Sequence, residues 1–189
     1  DHDLTLLLVE EPEAHLHPSA IRSLGAFLES MAGQILVSSH SGDLVSRVPV
    51  RSLRRLYKFN GETRVGRVEN DLFTDRELQV IDYRIRLSKG HYLFSRCWLL
   101  VEGESDFHLI PLIFEALDLS QDQVSFSALE FSQVFEKGVS FIKLAKALGI
   151  QWFMMADGDQ EGDGYINLAN EYLELGFRLF FYYFKDFIL

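Results

Sequence analysis

Cysteine is almost absent from this sequence: Cys97 stands alone among 189 residues. One thiol can form no internal disulfide and no cysteine-based zinc cluster, and such sparing use fits a reducing, cytoplasmic compartment. The N-terminus, Asp1-His2-Asp3, has no basic region ahead of an apolar one, so no signal peptide is expected. Long hydrophobic runs are missing too. The run at the start, Leu4 to Val9, is far too short to cross a bilayer, and no membrane partner is expected. Positive charge is scarce: 18 Lys and Arg stand against 28 Asp and Glu, a formal net charge of −10. That balance argues against a domain that reads nucleic-acid sequence through a basic face. It leaves open an enzyme that holds divalent metals on carboxylates, because such ligands push the count the same way. No internal repeat or low-complexity segment is present.

What the chain does have is apolar bulk. Its hydrophobic content is 48%, with 16 Phe and 7 Tyr, enough for the core of one domain or two small ones and unlike a disordered chain. Both ends are abrupt, the pattern expected of a piece of a longer protein.

Leu4 to Val9 reads as a buried parallel strand. From Pro18, the residues Ile21, Leu24, Phe27, Leu28 and Met31 recur at helical spacing, and Gly33 is expected to close that helix. Ile35 to Val37 reads as a second buried strand ending at Ser38-Ser39-His40, which makes a βαβ unit and a parallel sheet. Leu53 to Phe59 and Thr63 to Val68 flank Asn60-Gly61, a hairpin signal. Thr74 to Leu87 is polar and helical, a connector between two units; its Arg84, Arg86 and Lys89 read as a solvated face. A second α/β unit starts at Cys97. Its expected elements are a strand Trp98 to Val101, a turn Glu102 to Asp106, helices Phe107 to Leu117 and Val139 to Leu148, a strand Trp152 to Ala156, a helix Tyr165 to Leu175 and an aromatic strand Phe177 to Phe184.

The first strand ends in Glu10-Glu11, which places two carboxylates at the C-terminal edge of a parallel sheet, where ligands bind in open α/β folds. Adjacent acids on a strand point opposite ways, so the pair can serve two partners. Phosphoryl transfer needs one acid to hold magnesium and another group to orient the attacking water. His15 and His17 are two apart, but no third ligand stands near, so a zinc site is not expected.

The run LLLVEEPEAHLHP, with Pro12, Glu13, His17 and Pro18, resembles the Walker B segment and D-loop of ABC-type ATPases, in the branch with SMC, RecF and OLD-family proteins. By that resemblance Glu10 supports a magnesium ion and Glu11 is the catalytic glutamate. The strand end ILVSSHS resembles the switch segment, which brings His40 to the γ-phosphate of ATP. No G-x-x-x-x-G-K-[ST] loop occurs in the chain, nor the serine-rich signature segment. The nucleotide site is therefore expected to be incomplete, with tight ATP binding absent from this chain alone.

WLLVEGESD is a strand, a glycine turn and a helix start carrying Glu102, Glu104 and Asp106, and either Ser105 or Asp106 can cap the helix. FMMADGD is another strand ending in acids, with Asp157 and Asp159 facing one side in extended backbone. Neighbouring parallel strand ends would bring these carboxylates together. Such a group repels itself unless a cation holds it, and oxygen-only ligands favour magnesium, manganese or calcium. An E-G-x-x-D turn paired with a D-x-D strand end resembles the Toprim domain of topoisomerases, primases and OLD-family nucleases. The resemblance implies Glu102, Asp106, Asp157 and Asp159 as metal ligands, with Glu104 a weaker candidate and Asp163 able to join from the turn Gly162-Asp163-Gly164. Lys185 in the tail FRLFFYYFKDFIL carries no motif that makes it catalytic.

An ATPase segment followed by Toprim resembles the OLD family of ATP-dependent endonucleases. The implied fold is α/β: residues 1–70 the C-terminal part of an ABC/SMC-like ATPase domain, 71–95 a helical linker and 96–189 the N-terminal part of a Toprim domain with parallel strands. The implied reaction is hydrolysis of DNA phosphodiesters with Mg2+ or Mn2+, gated by ATP in a homodimer, with DNA repair and phage defence both open as settings. Two alternatives stand beside it. One is a RecF- or SMC-like repair ATPase without nuclease chemistry, which predicts that the Glu102 and Asp157 clusters lie apart. The other is a catalytically inactive remnant.

Overall fold

The computed structural model describes residues 6–31, 33–119, 125–131 and 138–173. The expected aromatic strand Phe177 to Phe184 and Lys185 lie outside the described residues. Strand β1 (Leu6–Glu10) and strand β2 (Gln34–Ser38) pair in parallel, from Leu6 opposite Gln34 to Glu10 opposite Ser38. Helix α1 (Pro18–Ser30) makes the crossover. His17 caps it by accepting from the Ser19 N–H, and Pro18 fills the first turn, where its missing N–H costs nothing. The helix ends at its C-cap Met31, ahead of Gly33, the residue expected to close it.

The strands themselves are less buried than their composition suggests. Leu8 is 66% exposed and Leu36 60%, so one face of this two-stranded sheet is bare within the described residues. A parallel sheet buries both faces only when packing partners cover each of them.

A short helix, α2 (Gly42–Val45), and a 3-10 turn lead into the hairpin of β3 (Arg54–Phe59) and β4 (Glu62–Arg67). Its two-residue turn is Asn60-Gly61, both at positive φ, as the right-handed strand twist demands. Helix α3 (Asp75–Leu87) opens with a reciprocal cap: Thr74 Oγ1 accepts from the Glu77 N–H, and Glu77 Oε2 accepts from the Thr74 N–H at 2.7 Å.

The three-stranded parallel sheet has β5 (Cys97–Val101) in the centre, β6 (Phe126–Glu130) on one edge and β7 (Gln151–Met155) on the other. Helix α4 (Glu104–Ala116) follows β5, α5 (Val139–Leu148) precedes β7, and α6 (Gln160–Asn170) follows it. Strand β6 is not anticipated by the sequence, because FSALE mixes small, polar and charged residues in too short a run to show a period. Helix α4 starts three residues earlier than expected, with Gly103 as N-cap. Its reach-back acceptor is Asp106, whose Oδ2 takes the Gly103 N–H at 3.4 Å.

Residues expected as a linker are part of this core. Leu78, Ile81 and Ile85 of α3, with Tyr92 and Leu93 after it, are buried in one cluster with Trp98, Leu100, Phe141 and Leu144. The Trp98 indole donates to the Tyr92 carbonyl at 2.7 Å, and Tyr92, Trp98 and Phe141 meet edge to face. The hairpin is tied in by Arg55, whose guanidinium donates to the carbonyls of Leu93, Ser95, Leu148 and Gly149. Arg84 reaches Glu130 at 3.8 Å, so it leaves the solvated face on which Arg86 and Lys89 remain exposed.

Glu77 is 2% exposed, and its Oε1 accepts from Lys143 Nζ of α5 at 2.8 Å. Burial alone would raise its pKa, but the Lys143 and Thr74 bonds outweigh that and hold the carboxyl below its usual value of 4.5. A depressed carboxyl contributes stability that is present above its unfolded pKa and lost as pH falls through the folded value. Replacing Glu77 by Ala should lower unfolding free energy by about 3 kcal/mol, since it strips a carboxylate from a half-buried ammonium. Denaturant titrations at pH 7 and below pH 4 test this, and the loss should shrink in acid.

Candidate functional site

Two groups of carboxylates sit at the C-terminal ends of parallel strands. In the first, β1 delivers Glu10 and Glu11 beside the end of β2, and the loop after β2 carries His40. Glu11 has φ 41, a left-handed backbone that costs a non-glycine residue about 1 kcal/mol, held by its N–H bond to the Ser38 carbonyl. His40 Nδ1 lies 3.2 Å from Glu11 Oε1, so the strand pairing unites the two expected residues. Both side chains are exposed, open to a ligand and to solvent. Glu10 is exposed at the strand end.

Glu13 had no assigned role in the sequence and turns out to be the buried member of this group, at 6% exposure. Its Oε1 accepts from Ser39 Oγ at 2.5 Å, the His40 N–H at 3.1 Å and the Ser41 N–H at 3.2 Å. Desolvation works to raise its pKa, but these bonds together hold it below the usual 4.5. The one sequence signal for it is an acid directly after Pro12, just past a strand end.

In the second group, Val101 of β5 lies opposite Met155 of β7, so Glu102 and Asp157 leave the sheet side by side. Glu102 Oε2 accepts the Asp157 N–H at 2.9 Å. The two strand ends come together, whereas the RecF-like alternative expected the Glu102 and Asp157 clusters to lie apart. Burial raises the Glu102 pKa above 4.5, and the charges of Asp157, Asp159 and Glu161 push it the same way, against the lowering effect of the Asp157 N–H. Asp159 caps α6 by accepting the Gly162 N–H at 2.8 Å.

Gly162 and Asp163 lie inside α6, where a glycine turn was expected. A Cβ on Gly162 would run into the Asp157 carbonyl oxygen, so only glycine lets the helix start this close to the strand end. Asp163 is thereby a helical residue of the first turns and not part of a loop. Glu161, unremarked in the sequence, adds its charge to the Glu102 cluster and accepts from the Tyr165 hydroxyl at 2.6 Å, which pushes that phenol up to about 12. Asp106 is occupied as the reach-back cap of α4. Glu104 is 86% exposed and faces His108 at 3.7 Å, apart from the Glu102–Asp157 contact.

Among the described residues no three His, Cys, Asp or Glu side chains converge into a ready-made cage. The chemistry of the set nonetheless fits a hard divalent cation: all donors are oxygens, and the half-buried Glu102 is raised first by burial and then by like charges that a cation would offset. Cys97 is a poor competitor for metal, since burial pushes its thiol up to about 11. No helix of the described residues is long and apolar enough to cross a membrane.

A carboxyl raised in the folded state favours folding at low pH and opposes it once pH passes the unfolded value near 4.5. Glu102→Gln, which keeps the acceptor for the Asp157 N–H, should therefore raise the thermal midpoint at pH 7 in metal-free buffer. It should also abolish most of the stabilisation that millimolar Mg2+ gives the unsubstituted chain. Paired melting curves with and without Mg2+ check both signs.

The family model described as "Overcoming lysogenization defect protein-like, TOPRIM domain" matches residues 93–159, which hold Glu102, Glu104, Asp106, Asp157 and Asp159. A model described as "Protein of unknown function (DUF2813)" matches residues 2–91, with Glu10, Glu11, Glu13 and His40. The chain is similar to "Uncharacterized protein YbjD" of Escherichia coli (strain K12), 31% identical over 160 residues that cover 85% of this chain and 29% of that protein. It is also similar to "Old nuclease" of Escherichia phage P2, 25% identical over 167 residues that cover 82% of this chain and 28% of the nuclease. The chain thus spans under a third of either relative. With its acidic strand ends held side by side in a parallel sheet, the segment 93–159 is a TOPRIM domain similar to those of OLD proteins.

Proposed function

We propose that this chain carries parts of two coupled centres of an ATP-dependent, divalent-metal-dependent DNA endonuclease. The observation that carries the reading is the Glu102–Asp157 contact at the end of β5 and β7, with Asp159 and Glu161 adding charge around it. Glu102, Asp157 and Asp159 are the residues that would hold Mg2+ or Mn2+, with Asp106 next and Glu104 last. When bound, the ion supplies an activated water and charge stabilisation at a scissile phosphodiester. The protein's own part is positional. Glu102 and the Asp157 backbone lock two strand ends together, and Asp159 fixes the start of α6 against them.

At the first group, Glu10 would support the magnesium of ATP, Glu11 would orient the attacking water, and His40, held 3.2 Å from Glu11, would meet the γ-phosphate. These roles need a phosphate-gripping loop that this sequence does not contain. DNA and ATP are therefore ligands of the longer protein, in which a homodimer in a reducing, cytoplasmic compartment is the expected setting. A second reading, a piece that folds and binds metal but turns over neither ATP nor DNA, is favoured by the missing phosphate-gripping loop.

Nicking of supercoiled plasmid in Mg2+ or Mn2+ separates the two. A chain extended to the length of its relatives should nick, and Glu102→Ala in that chain should cut the rate at least about a hundredfold, the scale for loss of a metal-organising group. Nicking that survives Glu102→Ala would remove the metal assignment. No nicking by the extended chain would favour the silent reading. Rapid ATP hydrolysis by the 189-residue chain alone would contradict the incomplete nucleotide site.

A further inference from the structure

We infer that Glu13 is a positioning residue that latches the His40 loop onto the turn after β1, and so sets the distance between His40 and Glu11. The inference rests on the proposed ATPase role of the first group. Glu13 is 6% exposed, and burying a carboxylate costs several kcal/mol unless donors meet it. Here they meet one oxygen: the hydroxyl of Ser39 and the amides of His40 and Ser41 all converge on Oε1. The donors come from three successive residues of the loop whose middle member is His40. The same loop is gripped from its other end, since the Ser41 N–H also bonds Ser39 Oγ and Ser41 Oγ caps α2 through the Leu44 N–H.

Geometry separates this from a simple buried cap. His40 Nδ1 is 3.2 Å from Glu11 Oε1 and 3.8 Å from Glu13 Oε1, so the ring stands between an exposed and a buried carboxylate. Glu13 Oε2 is buried and accepts no hydrogen bond among the described residues. A neutral amide of the same length keeps one oxygen for the same three donors and puts its NH2 where Oε2 stands, so the feature that the three bonds use is the reach of a glutamate-length acceptor. Shortening it should matter more than neutralising it.

The test has two arms. On the 189-residue chain, amide hydrogen exchange by NMR should show His40 and Ser41 protected. Glu13→Ala and Glu13→Asp should speed their exchange at least about tenfold, while core amides of α5 stay protected and report an intact fold. Glu13→Gln should keep most of the protection. In the extended chain, Glu13→Asp should lower kcat for ATP hydrolysis about tenfold or more with little change in KM, and Glu13→Gln should restore it.

Unchanged exchange in Glu13→Asp would overturn the latch. A loosened loop with unchanged kcat would overturn the positioning role while leaving the ATPase reading intact. Activity kept by Asp and lost in Gln would replace reach with charge and overturn it as well. If the unsubstituted extended chain hydrolyses no ATP, the catalytic half of the inference falls together with the ATPase reading. The exchange arm would still decide the latch.

Discussion

Strand β5 is paired on both edges, with Trp98, Leu100 and Val101 fully buried and Cys97 and Leu99 partly so. Its two neighbours run parallel to it, so three strand ends emerge on one side, and β5 itself ends at Glu102. Much of the remaining packing serves this strand. Tyr92 takes the Trp98 indole N–H, Phe141 of α5 meets the same ring, and Arg55 of the hairpin binds the carbonyls of Leu93 and Ser95 just ahead of it. A strand held this tightly gives the Glu102 carboxylate a fixed origin, from which it can accept the backbone N–H of the next strand end.

The two acidic groups solve the burial of a carboxylate in opposite ways. Glu13 and Glu77 are lowered, because each meets several donors: two amides and a hydroxyl for Glu13, an ammonium and Thr74 for Glu77. Glu102 is raised, first by burial and then by three acidic neighbours, against which it has one amide donor. The first arrangement is complete without a ligand. The second leaves a partly buried carboxyl with like charges around it, which is what the proposed metal assignment rests on.

Helix α3, the Asn60-Gly61 hairpin, the βαβ order and the strands bearing Glu102 and Asp157 were all legible, because each has a local cause: capping, turn chemistry or hydrophobic period. The pairing of Glu11 with His40 was legible through motif order. What escaped had no local signature. FSALE became a strand only by pairing with β5, and the apparent connector at residues 71–95 became core because α5 and β5 lie against it. The glycine turn at residues 162–164 became helix because Asp159 caps it and the Asp157 carbonyl leaves no room for a side chain.

The amino-acid sequence by itself determined which residues end each strand and in what chemical order they come: Glu10-Glu11, then His40, then Glu102, then Asp157 and Asp159. That information is local, because a strand end and a turn are set by residues a few positions apart. Tertiary structure alone decided which carboxylates share a space. It joined Glu102 to Asp157 and Glu161, left Glu104 beside His108 in solvent, and buried Glu13 under the His40 loop. Those outcomes depend on the order of strands in a sheet and on where a helix begins, through contacts between residues far apart in the chain. The same residue type thus became a latch at one strand end and a carboxyl crowded by like charges at another, according to how many donors and acids the fold brought within reach.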